Sequence, residues 1–255
     1  MSTRKAGSSV GFPDEYKEGR RHWENDRAMT KTSTLAAALW DFDGTLIDSE
    51  PMWLDAEFDL IAELGGTWSV EHADQLIGNS LLDSGSYILN AIGRHDLSPA
   101  WVVDELIIRV IEALSARPIP WRPGARELLT SFAEAGVPCA LVSASYRVML
   151  DAVLNQLPAD TFTVSVAGDE VRNGKPHPEP YETAAAALGV DTHKCVVLED
   201  SITGARSGNA AGALVIAVPS RVPIPPAPRR RLVTSLTELD AAAVAEWLEQ
   251  ANGQG

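Results

Sequence analysis

The chain of 255 residues holds only two cysteines, Cys139 and Cys195. Both lie in apolar runs, VPCALV and KCVVL, and read as buried strand thiols rather than a disulfide framework. That excludes the stapled secreted scaffolds and makes a reducing cytoplasm the expected compartment. No window holds the roughly 18 apolar residues of a membrane span, so no membrane anchoring is expected. Positive charge is scarce too. Lys and Arg number 21 against 35 Asp and Glu, a net charge of −14. Such a surface repels polyanions, which makes nucleic acid and anionic membranes poor partners. An anionic substrate would need a metal or local positive charge to overcome that background. The scarcity is sharpest from Ser49 to Pro120, which has no lysine and only the arginines Arg94, Arg109 and Arg117. Residues 1–34 mix charges of both signs around no apolar centre, unlike a secretory signal. They are expected to form a flexible extension, with Met29 as a second candidate start.

What is present gathers around Leu39-Trp40-Asp41-Phe42-Asp43-Gly44-Thr45-Leu46. The apolar run from Leu35 to Trp40 reads as a buried strand, and two carboxylates then break it. Side chains alternate along a strand, so Asp41 and Asp43 would point the same way. Two anions held together invite a cation between them. An acidic D-G turn would look the same locally, so the rest of the chain has to decide.

Downstream, two rhythms follow. From about Ser49 to Pro120 the apolar spacing is helical throughout. Helices are expected from Pro51 to Leu64, Val70 to Ile77, Ser80 to Ile92 and Ser98 to Leu114, with Gly65-Gly66 and Gly93 as stops. From Pro123 helix and strand alternate. Strands are expected at Val137–Val142, Phe162–Ala167, Cys195–Leu198 and Ala213–Val218, and helices near 124–135, 146–156, 179–188, 202–211 and 237–249. Arg221–Arg231, rich in Pro and Arg, reads as loop, and Leu232-Val233 as a small edge strand. The fold class is therefore α/β, a Rossmann-like doubly wound parallel sheet, with an all-helical module inserted after its first strand. The layout is 35–46 and 122–250 for the core and 47–121 for the insertion.

In open parallel sheets, function collects at the carboxyl ends of the strands. Those ends carry Asp41 and Asp43, then Ser143, then Glu199 and Asp200, with Asn173-Gly174-Lys175-Pro176 in a nearby turn. Four acids, a hydroxyl and a lysine suit phosphoryl transfer. Carboxylates bind Mg2+, the metal offsets the repulsion between an attacking carboxylate and a phosphate, and lysine and hydroxyl hold the remaining oxygens.

The motifs DFDGT (41–45), VSAS with Ser143, GKPHPEP (174–180) and LEDS (198–201) resemble, in order, the four signatures of the haloacid dehalogenase superfamily. DSEPMW (48–53), SASYRVML (143–150) and KPHPEPY (175–181) are similar to its small sugar-phosphate phosphatases. The resemblance implies Asp41 as nucleophile, Asp43 as general acid and base, and Ser143, Ala144 and Lys175 as phosphate-binding residues. It implies Mg2+ held by Asp41, the Asp43 backbone carbonyl and Asp200, with Glu199 as ligand or neighbour of a ligand. It makes residues 47–121 a cap. A phosphonate hydrolase of the family would need a cap lysine, and a sugar phosphomutase would need cap cations and a histidine soon after the first motif. DSEPMWLDAEFDL has no histidine, and Asp43 counts against dehalogenation. The expected function is a Mg2+-dependent phosphatase of a small phosphorylated metabolite, a sugar or polyol phosphate, with the phosphomutase and a catalytically idle binding module as alternatives. A monomer or weak dimer is expected. Thr45 and Asn173 are expected to shape loops, His177 and His193 to lie on exposed turns, and Trp53 and Trp101 to fill the cap core, with a sugar-stacking platform as the alternative. Glu50 and Asn79 are open as substrate-facing residues.

Overall fold

The computed structural model describes residues 35–76, 79–220 and 222–253; the extension expected at 1–34 lies outside the described residues. Strand β1, Ala37–Trp40, is buried along its whole length. The chain then forms four helices: α1 (Glu50–Glu63), α2 (Val70–Asp74), α3 (Leu81–Ile92) and α4 (Pro99–Ser115). From there it alternates through α5 (Ala125–Glu134), β2 (Cys139–Val142), α6 (Arg147–Leu154), β3 (Val164–Val166), α7 (Glu179–Leu188) and β4 (Cys195–Glu199). It closes with α8 (Ile202–Ala210), β5 (Leu214–Ala217), β6 (Arg230–Leu232) and α9 (Ala241–Asn252).

These six strands make one parallel sheet in the order β3-β2-β1-β4-β5-β6. A sheet buried on both faces needs apolar residues at every strand position, and β1 shows why. Ala38 and Trp40 face one core, where Leu128, Phe132 and Met149 of α5 and α6 and Leu248 of α9 meet them. Ala37 and Leu39 face the other, where Tyr181, Ala184 and Ala205 of α7 and α8 cover them.

Register fixes the heights of the strand ends. Trp40 lies opposite Leu141 on β2 and Leu198 on β4. The next residues, Asp41, Val142 and Glu199, therefore emerge level with one another at the carboxyl edge. The Asp41 amide still donates to the Leu198 carbonyl at 3.0 Å, so Asp41 is held as an extension of the strand.

The helical stretch leaves and rejoins the α/β layer at one neck. Ile47 bridges both Asp43 and Trp121, the Asp48 amide donates to the Pro120 carbonyl at 2.8 Å, and the Arg122 amide to the Leu46 carbonyl at 3.0 Å. Between these crossings the described residues include no strand. Its core is built by Leu60 and Ile61 of α1, Ile88 of α3, and Val102, Leu106 and Val110 of α4.

Three expected elements are corrected. Helix α2 stops at Asp74, and Ile77 lies outside the described residues. The last strand begins at Arg230, inside the stretch expected to be loop. Its pairing with β5 is tertiary, and Arg231, a residue typical of solvent, lies over the Trp247 ring at 5.5 Å. Helix α9 starts at Ala241, after a 3₁₀ turn at Leu236–Glu238, because Asp240 accepts the Ala243 amide as its N-cap.

Candidate active site

Lys175 is the electrostatic centre of the carboxyl edge. Its ammonium donates to Asp41 Oδ1 at 2.6 Å, to Glu199 Oε1 at 2.7 Å and to the Val142 carbonyl at 3.1 Å, so it ties the ends of β1, β2 and β4 together. The side chain is 5% exposed. Burial works against its charge, but the Asp41 and Glu199 carboxylates outweigh that and hold its pKa above the usual lysine range. The ammonium also lies 4.9 Å over the Tyr181 ring, and the Tyr181 hydroxyl donates to the same Glu199 Oε1 at 2.8 Å.

Glu199 is fully buried with every oxygen engaged. Oε2 accepts from the Ser201 amide at 3.2 Å and the Ser201 hydroxyl at 2.9 Å. Only a glycine lets α8 come this close: a Cβ at Gly204 would overlap the Glu199 carboxylate. With four acceptor directions filled, Glu199 acts as the counter-charge of Lys175.

Asp41 is different. One oxygen is on Lys175, while Oδ2 is buried without a hydrogen-bond partner. Such an orphan costs on the order of 1–3 kcal/mol unless something meets it. Burial first, then the negative Glu199, push the Asp41 carboxyl well above its ordinary range, with Lys175 opposing. Asp200 is raised to about 7 by burial and by Glu199. Its Oδ2 accepts from the Ser220 hydroxyl, and a Cβ at Gly44 would overlap its carboxylate, so the DFDG turn needs glycine there.

Oxygens of Asp41, Glu199 and Asp200 lie within 4.8 Å of one another. Since Glu199 is saturated, Asp41 Oδ2 and the Asp200 carboxylate are the oxygens free to take a cation. An all-oxygen donor set with excess negative charge around one lysine fits Mg2+.

Asp43 does not share that cluster. Its Oδ2 accepts from the Ser145 hydroxyl at 2.6 Å, and its Oδ1 from the Ser49 hydroxyl. Burial raises its pKa, while the Ser145 and Ser49 hydroxyls, the Lys175 charge and, least, Trp53 pull it back. Ser49 is the N-cap residue of α1 but makes no side-chain capping bond, because its hydroxyl is spent on Asp43.

Ser143 is buried, and its hydroxyl accepts the Ser145 amide at 2.9 Å; α6 begins after its N-cap residue Tyr146. Ala144 is exposed at the strand end, with Gly168 packed on its carbonyl. Thr45 is fully buried and its hydroxyl has no partner. Asn173 shapes its turn by bonding Glu179 at 2.8 Å, and His177 accepts the Glu179 amide at 3.2 Å on the surface. His193 is exposed, its Nδ1 lying 3.4 Å from Asp191. Asn79 is exposed and donates to the Gln75 carbonyl at 2.8 Å, while Glu50 opens α1. Of the two tryptophans, Trp53 packs partly buried against the core but Trp101 is 36% exposed on α4.

Sequence reasoning missed Ser49, Ser145, Tyr181 and Ser220. Ser145 had a signal, two residues beyond Ser143 on the same strand end. Ser49 and Tyr181 lie inside the motifs DSEPMW and KPHPEPY, while Ser220 had no signal, because its partner Asp200 comes from another element.

In sequence and fold the chain is similar to known proteins. Residues 38–218 match the family model described as haloacid dehalogenase-like hydrolase. Hexitol phosphatase B of Escherichia coli (strain K12) is 36% identical over 201 residues, covering 75% of this chain and 87% of that protein. Protein CbbY of Rhodobacter capsulatus is 30% identical over 197 residues, covering 73% and 86%. Among solved structures, CbbY from Rhodobacter sphaeroides in complex with xylulose-(1,5)bisphosphate superposes with a TM-score of 0.70 at 28% identity, covering 80% of this chain and 96% of that one. The β-phosphoglucomutase of Clostridium difficile, at 22% identity and a TM-score of 0.68, shares the fold. The chain belongs to the haloacid dehalogenase-like hydrolases, in the branch of small sugar-phosphate phosphatases. As a member of that branch it is a phosphatase.

Proposed function

We propose that the protein hydrolyses a hexitol or hexose phosphate in a Mg2+-dependent reaction through a phosphorylated Asp41. The carrying observation is Asp41 itself, with one oxygen fixed by Lys175 at 2.6 Å and the other buried and unpaired beside Asp200. A carboxylate in that state is oriented for attack, and a cation at the free oxygen would favour its ionised form. Mg2+ bound to Asp41, Asp200 and the Asp43 main-chain carbonyl would offset carboxylate–phosphate repulsion.

Asp41 attacks phosphorus, and the ester oxygen leaves with a proton from Asp43. In the second step Asp43 takes a proton from water as that water attacks the phosphorus of phospho-Asp41, which releases phosphate and restores Asp41. Lys175, the Ser143 hydroxyl and the Ala144 amide hold the peripheral oxygens. The bonds from Ser49 and Ser145 aim Asp43 meanwhile. The helical insertion is the cap; its single neck at 46–48 and 120–122 is where it would swing to exclude water.

The cap also bears on the leaving group. Arg94 is paired with Asp96, and Arg109 with Glu63 and Glu105. With those two charges paired, no cap lysine, and only the exposed Arg117 left of the cap's arginines, a second phosphate finds few cations to hold it. That favours a monophosphate with a neutral carbon skeleton over a bisphosphate or a phosphomutase reaction. Relatedness to a hexitol phosphatase points the same way.

The test is phosphate release from hexitol, hexose, pentose and glycerol phosphates, and a pentulose bisphosphate, with and without Mg2+. Rapid release from a hexitol or hexose phosphate, abolished in Asp41→Asn, is expected. No release from any of them, or an Asp41→Asn protein as active as the parent, would falsify the proposal.

A further inference from the structure

Trp53 lies one helical turn above Ser49: its amide donates to the Ser49 carbonyl at 3.2 Å. Residues four apart share a face of a helix, so Trp53 is on the face of α1 from which Ser49 reaches Asp43. Its side chain lies near enough to the same Asp43 carboxylate to help lower its pKa. The ring is partly buried, packed at its base on the core. The next residue on this face, Glu57, is turned into the cap, where its Oε2 accepts the Trp68 indole N–H at 2.9 Å. So Trp53 is the last residue of the stripe that faces the site rather than the cap interior.

Resting on the phosphatase reading, Asp43 must meet the ester oxygen of the leaving alcohol. Whatever flanks Asp43 on the cap side therefore flanks the carbon skeleton attached to that oxygen. An indole presents an apolar face, and the C–H faces of a polyol or sugar pack on such a surface. We infer that Trp53 determines specificity, forming the wall against which the leaving hexitol or hexose packs and so selecting long carbon skeletons over short ones.

The readout is the ratio of kcat/KM for a hexitol 6-phosphate to that for acetyl phosphate, a small phosphate with no skeleton to reach the wall. In Trp53→Ala the ratio should fall about tenfold or more, the scale of a lost apolar substrate contact, mainly through a raised KM for the hexitol phosphate. Trp53→Phe, which keeps a flat ring, should retain most of the ratio. Glu57→Gln disturbs the same helix without touching Asp43 and should leave the ratio unchanged. Trp53→Leu answers the same question if Trp53→Ala does not fold. A ratio within twofold of the parent in Trp53→Ala or Trp53→Leu overturns the inference, as does an equal shift in Glu57→Gln. Failure of the parent protein to hydrolyse the hexitol phosphate would instead overturn the proposed substrate.

Discussion

At the scale of single residues, Lys175 holds the site together, and its loss should be felt in both stability and turnover. Replacing it by Met leaves Asp41 and Glu199 buried without their shared counter-charge. Removing one member of a buried ion pair costs about 3–5 kcal/mol, so Lys175→Met should unfold at clearly lower denaturant than the parent. Turnover should fall by at least about 100-fold, because a fixed positive charge is lost where phosphoryl charge develops. Unfolding curves and phosphate release on the same preparations check both. Lys175 was legible in the sequence because it sits in the GKP turn after a strand. The division between the acids was not. Asp41 and Asp43 look alike in DFDGT, and only partners from elsewhere make one an orphan beside Asp200 and the other a carboxylate braced by Ser49 and Ser145.

At the scale of elements, α1 is where the helical insertion meets Asp43, through Ser49. An N-cap serine replaced by alanine ordinarily costs about 1 kcal/mol. Ser49 makes no capping bond, so Ser49→Ala should change the melting temperature little while slowing turnover severalfold, as Asp43 loses one of its braces. A fall in stability without a fall in rate would refute that role. Further along α1, Glu57 is raised to about 7 by burial, with the Trp68 indole opposing. The sign follows from the direction. A carboxyl whose folded pKa exceeds its unfolded value adds stability below the unfolded pKa, near 4, and loses it as pH rises through about 7. Glu57→Gln should thus flatten the stability profile between those pH values and gain on the order of 2 kcal/mol at pH 8. Thermal melts across pH 5 to 8 read this out. Most helices were legible from apolar periodicity and glycine stops. Strand β6 was not, because its arginines are solvent-type residues whose strand geometry comes from pairing with β5 and from Trp247.

At the scale of the whole molecule, Asp41 and Glu199 share one lysine with Asp200 beside them, in a chain that is already strongly acidic. A cation that binds the folded site and not the unfolded chain stabilises by mass action, about 2.7 kcal/mol at a hundredfold excess over Kd. Mg2+ should therefore raise the melting temperature of the parent, and Asp200→Asn should remove most of that shift. An equal shift in the variant would place the metal elsewhere.

The sequence alone determined the parallel α/β class, because unbroken apolar runs alternating with helical patterns have few other ways to be buried. It also determined which polar residues stand at strand ends, because those residues interrupt the apolar runs. Tertiary structure decided the rest. The β1–β2–β4 register brought Asp41, Val142 and Glu199 level, so that one lysine reaches all three. It spent Glu199 on Lys175, Tyr181 and Ser201, and it tied the first helix of the cap to Asp43 through Ser49. Hydrogen bonds between residues as far apart as Asp43 and Ser145 leave no trace in local sequence, since each partner alone would suit an ordinary turn.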